Sequence, residues 1–243
     1  TELRWYAPSL EIVRACVNAY PNRISDLNEN GMTALHVYSM NLVNEDILKY
    51  LIQQYPEALK LPNKFGFLPI HKAAMCKHCD GDTLKALIDA NPAGLLVKNR
   101  EGSTPLHLAI AGRQPQLQTV GMLLRTQPKA AKVKDRHGRV PMHLLAAGYV
   151  PPESEKADRM RIFDLLLEAF PDACKIADID GNLPLHYQAM KDKPSNEILN
   201  LLLFANAEAC TVRNNKGYDP RDLCVILKGK ERISTVSSAL LNY

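Results

Sequence analysis

Five histidines recur at the same position relative to a glycine, and a recurring imidazole could serve metal binding or proton transfer. Each lies five residues after its glycine, at His36, His71, His107, His143 and His186. Packed helices lie roughly 8–10 Å apart, whereas a zinc ion holds each imidazole nitrogen at about 2 Å. A neutral imidazole also offers one donor and one acceptor. We therefore expect these histidines to tie the start of a helix to the adjoining turn.

A second candidate for chemistry is the pair Cys76 and Cys79, which encloses His78. Zinc sites of this kind usually combine two such pairs, and the sequence has no second one. The chain also lacks the glycine-rich loops that hold phosphates, the nucleophile turn of α/β-hydrolases and the kinase motif set. The sequence therefore predicts no metal, no cofactor and no enzymatic activity.

The third candidate is a basic segment, 98–139, with nine Lys or Arg residues and two acidic ones. Lys98 and Lys134 share one position of the repeat described below, and Arg100 and Arg136 share another, so the charges align into a stripe. Such a stripe is interpreted as a solvated face, as a contact for an acidic protein segment, or as a contact for nucleic acid. The modest net charge of +4 and the 6% aromatic content favour nucleic acid least.

All these residues are positioned by a repeat, which is marked by several features in register. An Asn or Asp lies three residues before each repeat glycine, and an apolar pair, followed in five copies by a proline, lies further upstream. The glycines are Gly31, Gly66, Gly102, Gly138, Gly181 and Gly217. Self-similarity at a fixed period is the signature of stacked repeat proteins.

Each marker has a local structural role. Glycine supplies the positive φ of a tight turn, and the Asn or Asp side chain bonds to the turn backbone. The proline after the turn suits the first position of a helix, and Thr33 and Thr104 suit the N-cap before it. The apolar pairs fall in segments with helical spacing. Each unit is therefore predicted as a turn, a short helix, a loop, a second helix and a return loop.

The residues from Thr104 to Ala109 read Thr-Pro-Leu-His-Leu-Ala, which resembles the T-P-L-H-x-A signature of the ankyrin repeat family. The resemblance implies an all-α ankyrin repeat solenoid of helix-turn-helix units with short turn fingers, as a single domain over 1–243. It implies the end of a preceding repeat at 1–27, full repeats at 28–62, 63–98, 99–134, 135–177 and 178–213, and a C-terminal capping repeat at 214–243. The extra seven residues of the fourth repeat are expected as an exposed loop insertion within 148–158.

Ankyrin repeat proteins usually contact protein partners with their turn tips and first helices, so the resemblance implies a non-catalytic interaction scaffold. The expected partner is another protein that presents an acidic segment with an apolar anchor. Two alternatives are a nucleic-acid-associated module that uses the basic stripe and the regulatory array of a larger enzyme or channel. The partner-binding residues carried over by position are Lys64, Phe65, Phe67, Arg100, Glu101, Arg136, His137 and Arg139 at turn tips, with Met75 and Cys76 on a first helix.

Composition indicates the setting of the chain. Hydrophobic residues make up 46% and charged residues 23%, which is typical of a folded protein. Six scattered cysteines favour a reducing intracellular compartment, the cytoplasm or the nucleus. No apolar run approaches the roughly 20 residues that span a bilayer, so membrane insertion is not expected. The sequence begins at Thr1 and not at methionine, which leaves an organelle as an alternative.

Overall fold

The computed structural model describes residues 8–40, 44–76, 81–112, 114–148 and 153–228. Over these ranges the chain forms twelve α-helices and six 3-10 turns, with no β-strand. The expected all-α fold class is therefore confirmed. The predicted repeat boundaries remain a prediction, and residues 229–243 of the expected C-terminal capping repeat lie outside the described residues.

The helices form two layers, numbered here in chain order. The first helices of the units are α2 (Ala34–Tyr38), α4 (Pro69–Ala74), α6 (Pro105–Ala111), α8 (Pro141–Ala147), α10 (Pro184–Ala189) and α12 (Pro220–Lys228). The second helices are α1 (Leu10–Ala19), α3 (Glu45–Gln54), α5 (Gly81–Ala90), α7 (Leu117–Thr126), α9 (Glu153–Ala169) and α11 (Asn196–Ala205). Each helix packs against the next helix of its own layer, so every unit contacts its neighbours.

The second helix of each unit is followed by a short 3-10 turn. These turns are Pro21–Ser25, Pro56–Leu59, Pro92–Leu96, Pro128–Lys132, Pro171–Lys175 and Ala207–Thr211. Proline fits their first position because the backbone there needs no N–H donor. The core between the layers is built mainly from Leu, Ile and Ala, and it runs without interruption along the array.

The turns between units, which we call fingers, are the segments 28–32, 63–67, 99–103, 135–139, 178–182 and 214–218. In each finger the first residue donates its backbone N–H to the carbonyl of the fifth, at 2.9 or 3.0 Å. Neighbouring fingers are joined by a further backbone bond, for example from Arg100 N to Phe65 O at 3.1 Å and from Arg136 N to Glu101 O at 3.0 Å. The fingers therefore form a row with a fixed spacing.

The repeat glycines make this close approach of backbones feasible. All six have a φ between 71° and 81°, in the left-handed region that favours glycine. A Cβ on Gly102 would lie 2.5 Å from the backbone nitrogen of Arg136 in the next finger. The missing side chain therefore serves both the turn and the contact between units.

The five recurrent histidines are buried, and three of them reach the backbone of the next unit. Nδ1 of His71 accepts the backbone N–H of Leu68 at the start of its own helix, at 3.0 Å. Its Nε2 lies 3.0 Å from the carbonyl of Val97 in the return loop that leads to the next finger. Because Nδ1 accepts a hydrogen bond, the ring is neutral and donates from Nε2.

Burial lowers the pKa of all five imidazoles, and it lowers that of His71 to about 4. The Nε2 atoms of His36, His107 and His143 reach the carbonyls of Phe67, Arg139 and Asn182 in the next finger. His186 differs, because its Nε2 has no hydrogen-bond partner with good geometry in the described part of the chain. The histidines act as neutral links between units over this part of the array.

The insertion in the fourth unit differs from the loop that the sequence predicts. Helix α9 begins at Glu153 and has 17 residues, whereas the other second helices have ten. Arg159 is buried against α8 and donates to the carbonyl of Leu145, and burial lowers its pKa to about 10. Lys156 forms an ion pair with Glu197 of α11 at 3.0 Å. The extra residues therefore lengthen a packed helix, and residues 149–152 lie outside the described ranges.

The finger contact predicts a graded response to alanine at the repeat glycines. Gly217→Ala should cost about 1–2 kcal/mol of unfolding free energy, because its φ is +81° but no atom lies within 4 Å of the added Cβ. Gly102→Ala should cost about 1–3 kcal/mol more, because the added Cβ also meets the next finger. Gly112→Ala, whose nearest neighbour would be 4.0 Å away, is the control. Urea denaturation measures all three, and equal losses at Gly102 and Gly217 would contradict the contact.

The buried imidazoles predict a loss of stability in weak acid. His71 has its pKa lowered from 6.5 to about 4, so the unfolded chain takes up the proton first as the pH falls. The contribution of neutral His71 to the free energy of unfolding is therefore complete above about pH 6.5 and is lost toward pH 4. At pH 5 the loss is about 2 kcal/mol. Urea denaturation of His71→Gln at several pH values should show a shallower dependence than the parent. A pH dependence of His71→Gln as steep as that of the parent would refute this role.

Candidate functional site

The finger tips of units two to four carry most of the sequence-predicted site residues, and their backbone is held rigidly. In the second finger, Oδ1 of Asn63 accepts the backbone N–H groups of Phe65 and Phe67, both at 2.9 Å. Asn99 and Asp135 make the same pair of bonds in the next two fingers. The side chains at these tips therefore project from a fixed framework.

The two phenylalanines of the second finger have different environments, which the sequence does not distinguish. Phe65 is 53% exposed. Phe67 is half-buried and folds back on its own unit, where the Lys72 ammonium lies 4.4 Å from its ring centre and the His71 ring 5.9 Å away. Burial lowers the pKa of Lys72. Phe65 is therefore the aromatic side chain that this tip offers to a partner.

The cations of the predicted site divide into paired and unpaired groups. Arg136 forms an ion pair with Glu101 at 2.7 Å across the finger contact, and its Nε donates to His137 Nε2 at 3.1 Å. Lys64 and Arg100 are exposed and form no ion pair with a described residue. Free positive charge therefore lies at the fingers of units two and three.

The last cation of the set, Arg139, is directed inward. Its guanidinium contacts Asp135 at 2.7 and 2.8 Å, and Asp135 is fully enclosed. Burial favours a higher pKa for this carboxyl, but hydrogen bonds from the Arg139 side chain and from the Arg139 and His137 backbone outweigh it and hold the pKa below its ordinary value. Arg139 therefore stabilises its own finger, and little of its charge is available to a partner.

Met75 and Cys76 lie at the end of α4, apart from the finger tips. Met75 is 52% exposed, and both residues line a shallow depression of about 170 Å³ with Ala111 and Gly112 of the next unit. Cys79 and His78 lie outside the described residues, so the cysteine pair is not seen as a unit. Within the described ranges no group of three His, Cys, Asp or Glu side chains is placed to hold a metal ion.

Sequence reasoning did not identify a groove behind the fingers of units two and three. It has a volume of about 460 Å³ and lies between the return loop of unit one, the finger and 3-10 turn of unit two, and the finger of unit three. Its lining is mostly apolar, and Lys60, Lys98 and Arg100 stand around it. The basic stripe already pointed to Lys98 and Arg100, whereas the groove depends on side chains brought together from three successive units.

Comparisons with known proteins place the fold but not a family. No family model matches the chain, and no curated protein matches it in sequence. The chain is similar to one in the solved structure of the Bd0816 predatory endopeptidase from Bdellovibrio bacteriovorus in complex with immunity protein Bd3460. That match has 18% identity and a TM-score of 0.65, and it covers 89% of this chain and 99% of the other. At this identity the likeness carries the fold alone.

These findings correct three expectations from the sequence. The assignment to the ankyrin repeat family is withdrawn, because no family model matches and the similar structure is described as an endopeptidase with an immunity protein. The expectations of a non-catalytic scaffold and of a chain that is not an enzyme are withdrawn as well, because that complex includes an endopeptidase. Among the described helices none is long and apolar enough to cross a membrane. What stands is an all-helical array of repeated units whose fold is shared with a chain of a protein–protein complex.

Proposed function

We propose that this chain binds another protein through the finger surface of units two to four. The proposed contact residues are Lys64, Phe65, Phe67, Arg100, Glu101, Arg136, His137, Arg139, Met75 and Cys76. Phe65, Lys64 and Arg100 form its centre, because they are exposed and are not engaged by other side chains. Phe67 and Arg139 are turned toward residues of their own units, and Met75 and Cys76 lie at the end of α4.

The observation that carries the proposal is the rigid row of fingers with a free aromatic ring and free cations on it. The finger backbone is held by Asn63, Asn99 and Asp135 and by the bonds between fingers. A surface that is ordered before binding loses little entropy when a partner docks. Aromatic and arginine side chains are also enriched among residues that dominate binding energy.

The chemistry of this surface favours an acidic partner segment with an apolar end. Lys64 and Arg100 are available for carboxylates, and the Phe65 ring beside them is available for an apolar side chain. The similar solved chain supports protein binding in general, because both proteins of that complex are held in a protein–protein contact. We further propose that the units at 28–62, 63–98, 99–134, 135–177 and 178–213 build one continuous solenoid.

A second candidate function is peptide hydrolysis, which the endopeptidase in the similar complex suggests. It has weaker support, because a likeness at 18% identity does not carry an activity. Release of fluorescence from a quenched peptide library by the purified chain tests it directly. Activity that survives repeated purification would favour this second function over the binding function.

The finger surface predicts which substitutions weaken a protein contact. A partner should be captured by crosslinking to the purified chain, identified, and then titrated against variants by biolayer interferometry. Phe65→Ala should weaken the affinity by about thirtyfold, which corresponds to a loss of about 2 kcal/mol at a binding hot spot. Arg100→Glu with Arg136→Glu should mainly slow association and reduce its salt dependence.

The matched control is Phe204→Ala, which removes an aromatic side chain that is 88% exposed on α11, away from the fingers. It should leave the affinity unchanged, and circular dichroism should confirm that every variant is folded. The assignment fails if Phe65→Ala and the charge reversals all stay within about twofold of the parent. A partner that is lost after nuclease treatment would point to a nucleic-acid-mediated contact instead.

A further inference from the structure

The groove behind the fingers of units two and three has an apolar floor that no side chain of the described chain fills. Its volume of about 460 Å³ falls in the range of pockets that bind small ligands. Pro62, Leu68, Ala93 and Val97 supply most of the apolar lining. Val97 is 39% exposed. The groove therefore offers apolar surface that a partner could cover.

Two positions of unit two help to leave the groove open, because each carries a residue smaller than most of its equivalents. Position 91 is Asn, where three other units have Tyr55, Gln127 and Phe170 and a fourth has Asn206. Asn91 is turned inward, and its Nδ2 donates to the carbonyl of Leu59 at 3.0 Å. Position 94 is Gly where four other units have Ala. This combination of small residues does not occur at another interface of the array.

The charge around this groove has one sign. Lys60, Lys98 and Arg100 line it, all three are exposed, and none forms an ion pair with a described residue. The lining includes no Asp or Glu. Three free cations around an apolar floor complement a segment that has carboxylates on both sides of one apolar side chain.

We propose that this groove takes the apolar anchor of an acidic protein segment. One aliphatic or aromatic side chain lies on Pro62, Leu68 and Val97, and flanking carboxylates approach the three cations. This inference rests on the proposed function and deepens it, because it moves the apolar anchor from the Phe65 ring into the groove. Gly66 and Arg100 belong both to the groove and to the fingers, so one segment can contact both.

The apolar contact in the groove and the ion pairs around it have different roles in such a complex. Exposed ion pairs contribute little to affinity, so the burial of the apolar side chain is its main source. The cations orient the segment and raise the rate of association. Replacing the apolar side chain of the segment should therefore slow association little and speed dissociation strongly.

The inference is tested with a fluorescent synthetic peptide of glutamates around a single leucine, followed by anisotropy with the full chain. The groove variants are Lys60→Glu, which reverses a charge at the rim, and Ala93→Phe, which narrows the groove at an exposed position. Each should weaken binding about tenfold, as should replacing the leucine of the peptide by glycine. The matched control is Lys132→Glu, because Lys132 occupies the same place before Gly138 that Lys60 occupies before Gly66.

Comparison with Phe65→Ala separates the groove from the finger surface. If the groove variants and the leucine replacement weaken binding while Lys132→Glu does not, the groove is the anchor site. If Phe65→Ala weakens binding and the groove variants match the parent, the groove inference is overturned and the proposed function stands. Equal weakening by Lys60→Glu and Lys132→Glu shows general charge attraction and overturns the groove. No saturable binding up to about 1 mM overturns the acidic segment itself.

Discussion

The architecture depends on a neutral imidazole that is bonded at both ends inside the stack. Nδ1 of each repeat histidine accepts a hydrogen bond from the backbone N–H at the start of its own helix. In four units Nε2 also reaches a backbone carbonyl in the next finger or in the return loop before it. An alkyl side chain in its place would leave a buried N–H and a buried carbonyl without partners. The link therefore needs a residue with a donor and an acceptor on opposite sides of a rigid ring. The histidine link also requires a neutral ring, so burial must hold the imidazole pKa below the pH of the surrounding solution.

Because backbone groups and histidines hold the units together, finger side chains can vary without loss of the stack. Position 64 and its equivalents are Lys64, Arg100, Arg136 and Ile179 in four successive units, and each backbone N–H still bonds to the preceding finger. The same holds at the groove, where the position of Asn91 is Tyr55, Gln127 or Phe170 in other units. Binding chemistry can therefore change from unit to unit on an unchanged framework.

The sequence predicted the parts of this fold that depend on local backbone chemistry. The glycines with positive φ, the prolines at helix starts and the N-cap role of Thr33 and Thr104 are properties of a few consecutive residues. The extension of α9 was missed, because a Pro-rich segment hides a helix that is stabilised by contacts to α8 and α11. The inward rotation of Phe67 and the pairing of Arg136 with Glu101 were also beyond the sequence, because they depend on rotamers and on residues about one repeat apart. The groove was missed for the same reason, since its walls come from three successive units.

The unpaired cations of the structure are centred elsewhere than the basic segment of the sequence. The segment 98–139 has the greatest excess of Lys and Arg, which centres the charge on units three and four. Arg136 and Arg139 are bound to Glu101 and Asp135, however, and a paired cation attracts a carboxylate less than a free one. Lys60 and Lys64 lie outside that segment and are unpaired. The free charge therefore centres on units two and three, beside the apolar groove, where the proposed acidic segment would meet both apolar and electrostatic attraction.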